Sequence, residues 1–558
     1  MTRCMRIFYG LIPLLLCTNT WAQPAPEAPP PAAEAPPAAA APPAPVIAAP
    51  SAPPTGAVDQ AVPLTPNVRP QAKQEAPEHL PLAGYANGSF FLRDPHDWFV
   101  LFPKGRLQVD WYNFLNRGDA PPGVVPNSSG DPRAKDTLFV RRARVELQGT
   151  FIGHFDFHIA GEFTTTPAAG ANGLLADAYI VADYLSFLKL QVGQFDAPFS
   201  LENRTSDKYL DFMERGPSVR FLAVPFNKEQ GAMLWGWLPK QVAYYSIGVF
   251  DGDGQNFKNQ DNWGTVMGRA FVAPVAWMPI ADKYKWMKDI EVGASWWWQQ
   301  QGNLGGAIAG SSGATQNDLP TMQTTGGFTW FSSNYNVATD SAGNSIREHL
   351  VPSGDTVKWA LEARIPIWKF GLQGELIHVS EDLLSYYDSV NVPNAMTGKW
   401  NGASFARSAP KAGANLDGWG GYIELFAWIL GDVNFIETPG LEPIPHIKKF
   451  TPAKEPVWGL RLLARYEQVT YNIRGLAGVV DPNTGTATAD PGVGLYKLHQ
   501  FGLGLDAWGT KHVRLTVNYF LNYLDGDAPN LTKNFFFSSA TGGQRPEHEL
   551  LFRAGINL

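Results

Sequence analysis

The chain has 558 residues, a formal net charge of −7 and a pI near 5.8, which gives no bulk basic surface and excludes nucleic acid as an expected partner. Its two cysteines, Cys4 and Cys17, both lie close to the N-terminus, so the rest of the chain uses neither disulfides nor thiolate chemistry. Aromatic residues reach 13% while the mean hydropathy is −0.17, a mixture that suits a wall with one apolar and one wet face.

Residues 1–22 are predicted to be a secretory signal peptide. Arg3 and Arg6 precede an apolar run from Ile7 to Cys17, and a small-residue site ending at Ala22 follows. The run is about half of the ~20 residues that a membrane-spanning helix needs, so cleavage after Ala22 is expected instead of an anchor. Because Leu16 precedes Cys17 where a small residue would be required, lipid attachment is not expected.

Residues 23–79 are predicted to be a periplasmic linker, since the tract up to about Lys73 is built of proline and alanine and cannot bury a core. Its proline density favours extended polyproline II, a semi-rigid spacer of roughly 3.1 Å per residue. A disordered linker and a specific contact with the cell wall are both open alternatives.

Residues 80–558 are predicted to form a barrel because their dominant signal is alternation with a period of two. In 105–112, Leu107, Val109 and Trp111 point one way and the polar residues between them point the other. In 137–150, the apolar face is predicted to hold Phe139, Ala143, Val145 and Leu147, with Arg142, Arg144, Glu146 and Gln148 opposite and Arg141 near the rim. A turn at Gly153-His154 then leads into 155–163, which completes a hairpin.

Further strands of this kind are predicted at 186–194, 241–250, 290–299, 356–365, 368–380, 418–430, 457–469, 495–506, 512–524 and 550–558. The triplet Trp296-Trp297-Trp298 is expected to break the alternation and to mark a membrane-interface girdle, with a sugar-stacking platform as the alternative.

Three features favour a membrane barrel over a soluble sandwich. The inward positions carry charges on nearly every strand, which a water-filled lumen can hold and a sandwich core cannot. Short turns alternate with long loops such as 302–338 and 475–492, as outer-membrane barrels show. The last strand also ends at the C-terminus, where Leu558 stands. The predicted fold class is therefore all-β, a transmembrane antiparallel β-barrel.

Several ordered motifs resemble the phosphate-selective porin O and P family. They are Phe139-Val-Arg-Arg-Ala-Arg-Val-Glu-Leu-Gln-Gly149, Val192-Gly-Gln-Phe-Asp-Ala-Pro-Phe-Ser-Leu-Glu202, Phe212-Met-Glu-Arg215, Gly231-Ala-Met-Leu-Trp-Gly-Trp237 and Asp251-Gly-Asp253. The resemblance covers about 105–253. It implies a barrel of about 16 strands, with 18 as the alternative, that assembles as a homotrimer. It also implies a third external loop folded inward to narrow the pore.

That constriction loop is matched by Gln194 to about Val224. Its candidate anion-binding residues are Arg204, Lys208, Arg215 and Arg220, which are opposed by five acids: Asp196, Glu202, Asp207, Asp211 and Glu214. Alternation adds Arg106, Arg142, Arg144 and Lys189 as inward wall candidates. Clustered cations at a narrow lumen would favour anions, and arginine binds phosphate oxygens in pairs. The alternative is that these cations hydrate the lumen or pair locally with Glu146, Glu162 or Asp110.

No catalytic residues, cofactor or metal are predicted. Asp251-Gly-Asp-Gly-Gln-Asn256 departs from a calcium loop in its spacing and is expected to be a turn, and His154 and His158 lie too far apart on a turn and strand to share zinc. The sequence thus predicts a passive channel in the outer membrane of a Gram-negative bacterium, in contact with lipid and small anions. A general, sugar-preferring or cation-preferring channel is the first alternative, and a barrel enzyme or adhesin is the second.

Overall fold

The chain divides into two units, Met1–Pro77 and Glu78–Leu558. The computed structural model describes residues of the second unit: 82–86, 89–115, 135–164, 175–224, 227–238, 242–256, 259, 264–301, 319, 322–331, 334–339, 345–389, 397–400, 403–406, 414–431, 458–475, 479–480, 487–488, 494–510, 512–526 and 546–558. The predicted signal peptide and linker lie outside the described residues, and both stay predictions.

Sixteen antiparallel strands form a closed sheet. In chain order they are β1 Phe99–Phe114, β2 Thr137–Phe151, β3 Phe155–Glu162, β4 Leu175–Leu185, β5 Leu188–Asp196, β6 Lys228–Trp237, β7 Ala243–Phe250, β8 Thr265–Val272, β9 Glu291–Gln301, β10 Ser345–Ile367, β11 Phe370–Ser389, β12 Ala414–Leu430, β13 Trp458–Arg474, β14 Gly494–Gly509, β15 Val513–Gly526 and β16 Glu547–Asn557. Each pairs with its neighbours in the sequence, and β16 pairs with β1 from Glu549 opposite Phe114 to Asn557 opposite Arg106. Closure satisfies the backbone groups that an open edge would leave unpaired.

The apolar face of the strands points outward. On β1, Leu107 and Trp111 are 46% and 45% exposed, while Arg106 and Asp110 are buried on the inward face. Large exposed apolar side chains recur around the barrel, among them Ile159, Ile247, Leu361, Ile423, Leu503 and Leu515. A surface of this kind needs a lipid surrounding, since water would oppose its exposure. The predicted transmembrane antiparallel barrel is therefore confirmed, with 16 strands and not 18.

Three barrel strands, β4, β6 and β8, are absent from the predicted set. In β8, Met267 and Phe271 face inward while Gly268 and Ala270 face outward, so the contrast between an apolar and a polar face is lost. Period-two reasoning fails where the lumen itself contains apolar packing. β6 includes the family motif 231–237, although the sequence analysis predicts no strand there.

A β-bulge in β2 corrects the predicted faces of that strand. Gln108 lies opposite Arg142 and Val109 opposite Val140, so Arg141 is the extra residue. Outside the bulge, Leu138 and Val140 face outward, and Phe139 faces inward against Tyr112 with ring centroids 5.1 Å apart. The prediction that Phe139 shares a face with Val145 was therefore wrong, and Arg141 points into the lumen instead of sitting at an apolar rim.

The tryptophan triplet on β9 also differs from the prediction. Trp296 and Trp298 are outward and exposed, whereas Trp297 is 1% exposed and faces inward. The triplet therefore keeps the strand alternation. Its inward ring packs edge-on against Phe199, with centroids 6.1 Å apart.

Short connections such as 152–154, 186–187, 368–369 and 510–512 define one end of the barrel, here called the inner end; the opposite end is the outer end. Two connections at the inner end are longer than the short turns that the sequence predicts there. Residues 273–290 contain helix Pro279–Lys283 and the 3-10 helix Lys285–Asp289, and residues 431–457 separate β12 from β13. No helix in the described part of the chain is long and apolar enough to cross a membrane.

Short accessory strands flank the barrel. Ala83–Ala86 pairs with Ser89–Arg93, whose last two residues pair with Val100 and Leu101 of β1 at the inner end. Asn334–Thr339 extends the sheet beside β10. Three two-stranded pieces complete the set: Met322–Gln323 with Thr329–Phe331, Thr397–Trp400 with Ala403–Ala406, and Val479–Val480 with Ala487–Thr488.

Candidate functional site

The chain between β5 and β6 folds into the barrel. Its described residues 197–224, here called the inserted segment, are buried almost throughout. The segment includes a helical turn, Leu201–Arg204, whose N-cap Ser200 side chain accepts a hydrogen bond from the Asn203 amide, and a π-helix, Val219–Ala223. This is the position at which the sequence predicted an inward loop, although Gln194–Asp196 belong to β5.

Apolar packing fits the inserted segment to the wall. Phe212 contacts Phe520 with ring centroids 5.4 Å apart. Opposite Leu222 the wall carries glycine: a Cβ added to Gly420 would lie 2.6 Å from Leu222 Cδ1. A larger residue on this inward position of β12 would push the segment away from the wall.

On one side of the lumen, acids of the inserted segment bind arginines of β13. Arg465 Nη1 lies 2.6 Å from Glu202 Oε1, and Arg461 binds Asp211. The backbone takes part as well, since the Met213 amide donates to Asn518 Oδ1 at 2.9 Å. These acids attach the segment to the wall across the barrel.

On the other side, Asp207 sits among four guanidinium groups. Arg215 Nη1 lies 2.6 Å from Asp207 Oδ1, Arg106 and Arg142 each approach Oδ2 at 3.1 Å, and Arg144 approaches it at 3.8 Å. The arginines hold the pKa of the Asp207 carboxyl well below its ordinary value against the opposing effect of burial. Asp207 lies on the inserted segment and not on a membrane-spanning strand, and it stays ionised.

Glu214 is the second acid of this side. It accepts hydrogen bonds from Arg141 at 3.0 and 3.1 Å and from Arg142 at 2.9 and 3.2 Å, and it also binds Arg553 of β16. These partners lower its pKa well below the ordinary value although burial raises it. Neither Arg141 nor Arg553 is among the site residues predicted from the sequence. The bulge changes the face on which Arg141 lies, and Arg553 lies on β16, far from the family motifs.

We call this group the basic cluster. Its cations are Arg106, Arg141, Arg142, Arg144, Lys208, Arg215 and Arg553, and its acids are Asp110, Glu146, Glu162, Asp207 and Glu214. Seven cations against five acids leave a formal excess of two. Asp177 adjoins this cluster, 4.0 Å from Arg144, and it pairs with Lys228, which also pairs with Asp196. Counting these two acids and one lysine reduces the formal excess to one positive charge. Burial lowers the pKa of Lys208 to about 8, although Glu146 favours its charged form.

The predicted wall residues Arg106, Arg142 and Arg144 do face inward, and they pair with acids of the wall and of the inserted segment. Lys189 is separate from the basic cluster. It pairs at 2.6 Å with Asp183 beside the turn between β4 and β5. Whether any of these residues binds a permeating anion stays a prediction.

The four predicted cations of the loop divide into two kinds. Lys208 and Arg215 belong to the basic cluster, and Arg204 donates a hydrogen bond to the Asp196 carbonyl oxygen. Arg220 differs, since its closest described acceptor is the Thr324 carbonyl oxygen at 3.5 Å. It forms no salt bridge within the described part of the chain.

A second piece of chain also enters the lumen, which the sequence did not predict. Residues 322–331, from the long connection between β9 and β10, reach β16: the Gly326 amide donates to Glu549 Oε2 at 2.9 Å, and the Thr324 hydroxyl binds the same carboxylate. Phe331 packs against Tyr496 with ring centroids 4.9 Å apart. Arg220 therefore lies where the two inserted pieces meet.

The motif Asp251–Asn256 forms a turn, as expected. The amides of Gly252 and Gly254, both at positive φ, donate to Glu229 Oε2 at 3.2 Å. Among the described residues no group of three or more histidine, cysteine or acidic side chains is arranged to hold a metal ion.

Comparison with known proteins bears on this architecture. The family model described as phosphate-selective porin O and P matches residues 123–339. Porin O of Pseudomonas aeruginosa is 29% identical over 162 residues, which are 28% of this chain and 34% of that protein, so the match spans about a third of the relative's length. The predicted resemblance to that family is confirmed over these residues.

Several solved porin structures align with most of the chain. OmpT of Vibrio cholerae aligns with a TM-score of 0.42 at 9% identity, covering 84% of this chain and 99% of OmpT. The channel DcaP of Acinetobacter baumannii gives 0.43 at 10% identity with coverage of 84% and 99%, and an anion-selective porin from Comamonas acidovorans gives 0.41 at 11% with 82% and 100%. These TM-scores lie below 0.5, so the fold rests on the strand pairing of the chain itself.

Proposed function

We propose that the chain is an outer-membrane porin of a Gram-negative bacterium, a passive diffusion channel for small hydrophilic solutes that prefers anions such as phosphate. The observation that carries the proposal is the basic cluster, which places a cation excess between the wall and the inserted segment. In a narrow lumen with low-dielectric walls, such an excess raises the local concentration of anions. The porin O and P match supports the same function.

Reversal potentials in a potassium chloride gradient across a planar bilayer test the ion preference. Arg144→Gln is the informative variant, because its side chain is 12% exposed and borders the lumen. We expect the permeability of chloride and phosphate relative to potassium to fall, most strongly at low salt where screening is weak. Lys288→Gln makes the same charge change on the exposed connection 273–290 and should leave the ratio unchanged. A wild-type channel that prefers potassium would remove the anion assignment.

A channel without charge preference is the second candidate. Near-complete pairing of lumen cations with acids favours it, because opposite charges a few ångströms apart cancel beyond a Debye length of ~8 Å at physiological salt. Reversal potentials close to zero, with conductance unaffected by Arg144→Gln, would identify it.

We also propose a homotrimer in contact with outer-membrane lipid. One solved structure with a similar strand arrangement is described as the trimer form of Vibrio cholerae OmpT. Cross-linking in native membranes, followed by electrophoresis without heating, should give a species of three chains. A single-chain species under all cross-linking conditions would contradict the trimer.

A further inference from the structure

Four aromatic side chains, here called the aromatic patch, lie together on the lumen wall near the inner end. Trp235 and Trp237 stand two residues apart on β6, so they share one face of that strand. Trp237 lies opposite Tyr244 of β7, which in turn lies opposite Phe271 of β8. Because Phe271 faces inward and residues paired in register share a face, all four rings point into the lumen.

The four rings pack against one another. Tyr244 and Phe271 stack with centroids 5.1 Å apart, and Trp237 meets both rings edge-on at 5.4 and 5.5 Å. Trp235 lies 6.1 Å from Tyr244. Tyr244 and Phe271 are buried, whereas Trp235 and Trp237 are half-buried. The first two rings therefore form a base, and the two indoles stay partly exposed on the lumen side of the wall.

An ion pair borders the aromatic patch. Lys189 of β5 lies opposite Trp235 in register, and its Nζ is 4.8 Å from the centre of that ring. The same Nζ lies 2.6 Å from Asp183 Oδ2, and the two side chains are 12% and 13% exposed. The pair carries no net charge, but an ammonium group has three donors and a carboxylate has several lone pairs. An aromatic face thus adjoins an edge that can both donate and accept hydrogen bonds.

A pyranose sugar has the matching chemistry. The C–H groups of its ring give it an apolar face, and the hydroxyls around the ring both donate and accept hydrogen bonds. Sites for small molecules are commonly built in this way, since aromatic side chains supply the contact area and a few polar groups fix the orientation. A small inorganic anion fits poorly here, because the face of an aromatic ring is electronegative and the neighbouring cation is already paired.

We propose that the aromatic patch, with Lys189 and Asp183 at its edge, binds neutral pyranose sugars at the inner end of the lumen. The sugar ring stacks on Trp235 or Trp237, and its hydroxyls exchange hydrogen bonds with the ion pair. The site is separate from the basic cluster and does not depend on the preference for anions. It rests on the proposed function only because it needs an open channel.

Channel conductance in potassium chloride tests the site, with glucose and sorbitol as matched probes. The two compounds are similar in size and in their hydroxyl groups, but sorbitol is an open chain and has no ring face. Both raise the viscosity of the solution alike, so a further fall in conductance with glucose reports binding of the ring. We expect glucose to lower the conductance more than sorbitol does at equal concentration, and the difference to saturate.

Substitution of the tryptophans places the binding on the patch. Trp235→Leu and Trp237→Leu each remove one indole face. A ring contact as strong as those measured for aromatic pairs changes an equilibrium constant about fivefold, so the half-saturating glucose concentration should rise about fivefold in each variant. Trp235→Phe keeps a ring and should recover most of the loss. Trp296→Leu is the matched control, because Trp296 points outward and is exposed, and it should leave the glucose curve unchanged.

The outcomes separate the sugar site from the channel function. If glucose and sorbitol lower the wild-type conductance equally, or if the glucose effect is unchanged in both leucine variants, the sugar site is overturned and the channel stands. A wild-type protein that forms no channels in the bilayer would overturn both. Electrophoresis of unheated samples identifies the variants that assemble, and if one leucine variant does not, the other carries the same comparison. A glucose effect that weakens in the leucine variants and persists in Trp296→Leu would establish the site.

Discussion

Glu214→Gln is expected to loosen the inserted segment without weakening the barrel. The carboxylate receives hydrogen bonds from three guanidinium groups, those of Arg141, Arg142 and Arg553. A hydrogen bond to a charged group contributes about 1.5–3 kcal/mol, and glutamine keeps one acceptor oxygen. Breaking a buried ion pair costs about 3–5 kcal/mol, so we expect a loss of that size in the docking free energy of the segment.

The loss should stay local, because other contacts still hold the segment. Glu202 remains bound to Arg465 and Asp211 to Arg461 across the lumen. Single-channel recording should therefore show larger and less steady currents, and electrophoresis of unheated samples should show unfolding at the wild-type temperature. The backbone ladder that resists unfolding does not involve Glu214.

Glu362→Gln is the matched control. Glu362 binds Arg269 at 2.6 Å, and both residues belong to the wall, on β10 and β8. The Glu362→Gln substitution therefore removes a buried carboxylate of the lumen without removing a contact of the inserted segment. If Glu214→Gln gives currents as steady as those of Glu362→Gln, the ion pairs of Glu214 do not hold the inserted segment in place.

Four further outcomes are expected. Because arginines lower the pKa values of Asp207 and Glu214, their docking contribution is complete above the ordinary carboxyl pKa of about 4 and is lost as pH falls below it; conductance recorded at pH 7, 5 and 3 should change only at the lowest value. With a pKa of about 8, Lys208 loses its charge between pH 7 and 9, so reversal potentials should show a weaker anion preference at pH 9. Deleting residues 23–73 should leave unit conductance unchanged; a halved conductance would show that the tract is no spacer. The native protein should fractionate with the outer membrane and keep its folded mobility in detergent until heated, and recovery in the soluble periplasmic fraction would contradict the barrel assignment.

Sequence periodicity located most of the barrel because inward charge and outward apolar residues alternate cleanly on strands such as β1. It failed where the lumen is itself apolar, as at Met267 and Phe271 of β8, which pack inside instead of facing lipid. It also failed at Arg141, since a one-residue bulge reverses the face of every later position and leaves no mark in the local composition.

The candidate site was less accessible to prediction than the fold. The family motifs located the inserted segment and its charges, but the partners of those charges lie on distant strands. Alternation on β16 places Arg553 on the face opposite the apolar residues, but nothing local shows that it reaches Glu214, and no local pattern marks the piece 322–331. Which acid pairs with which cation is therefore a property of the closed barrel.

The partners of the inserted segment have a consequence for the order of events during biogenesis. Glu202 binds a residue 263 positions later, the Met213 amide one 305 positions later, and the Met213 carbonyl oxygen one 340 positions later. The segment therefore cannot complete these contacts until strands from the far end of the chain stand beside it. Its charged groups stay hydrated until β13, β15 and β16 are in place, so the segment takes its final position only together with the closure of the barrel.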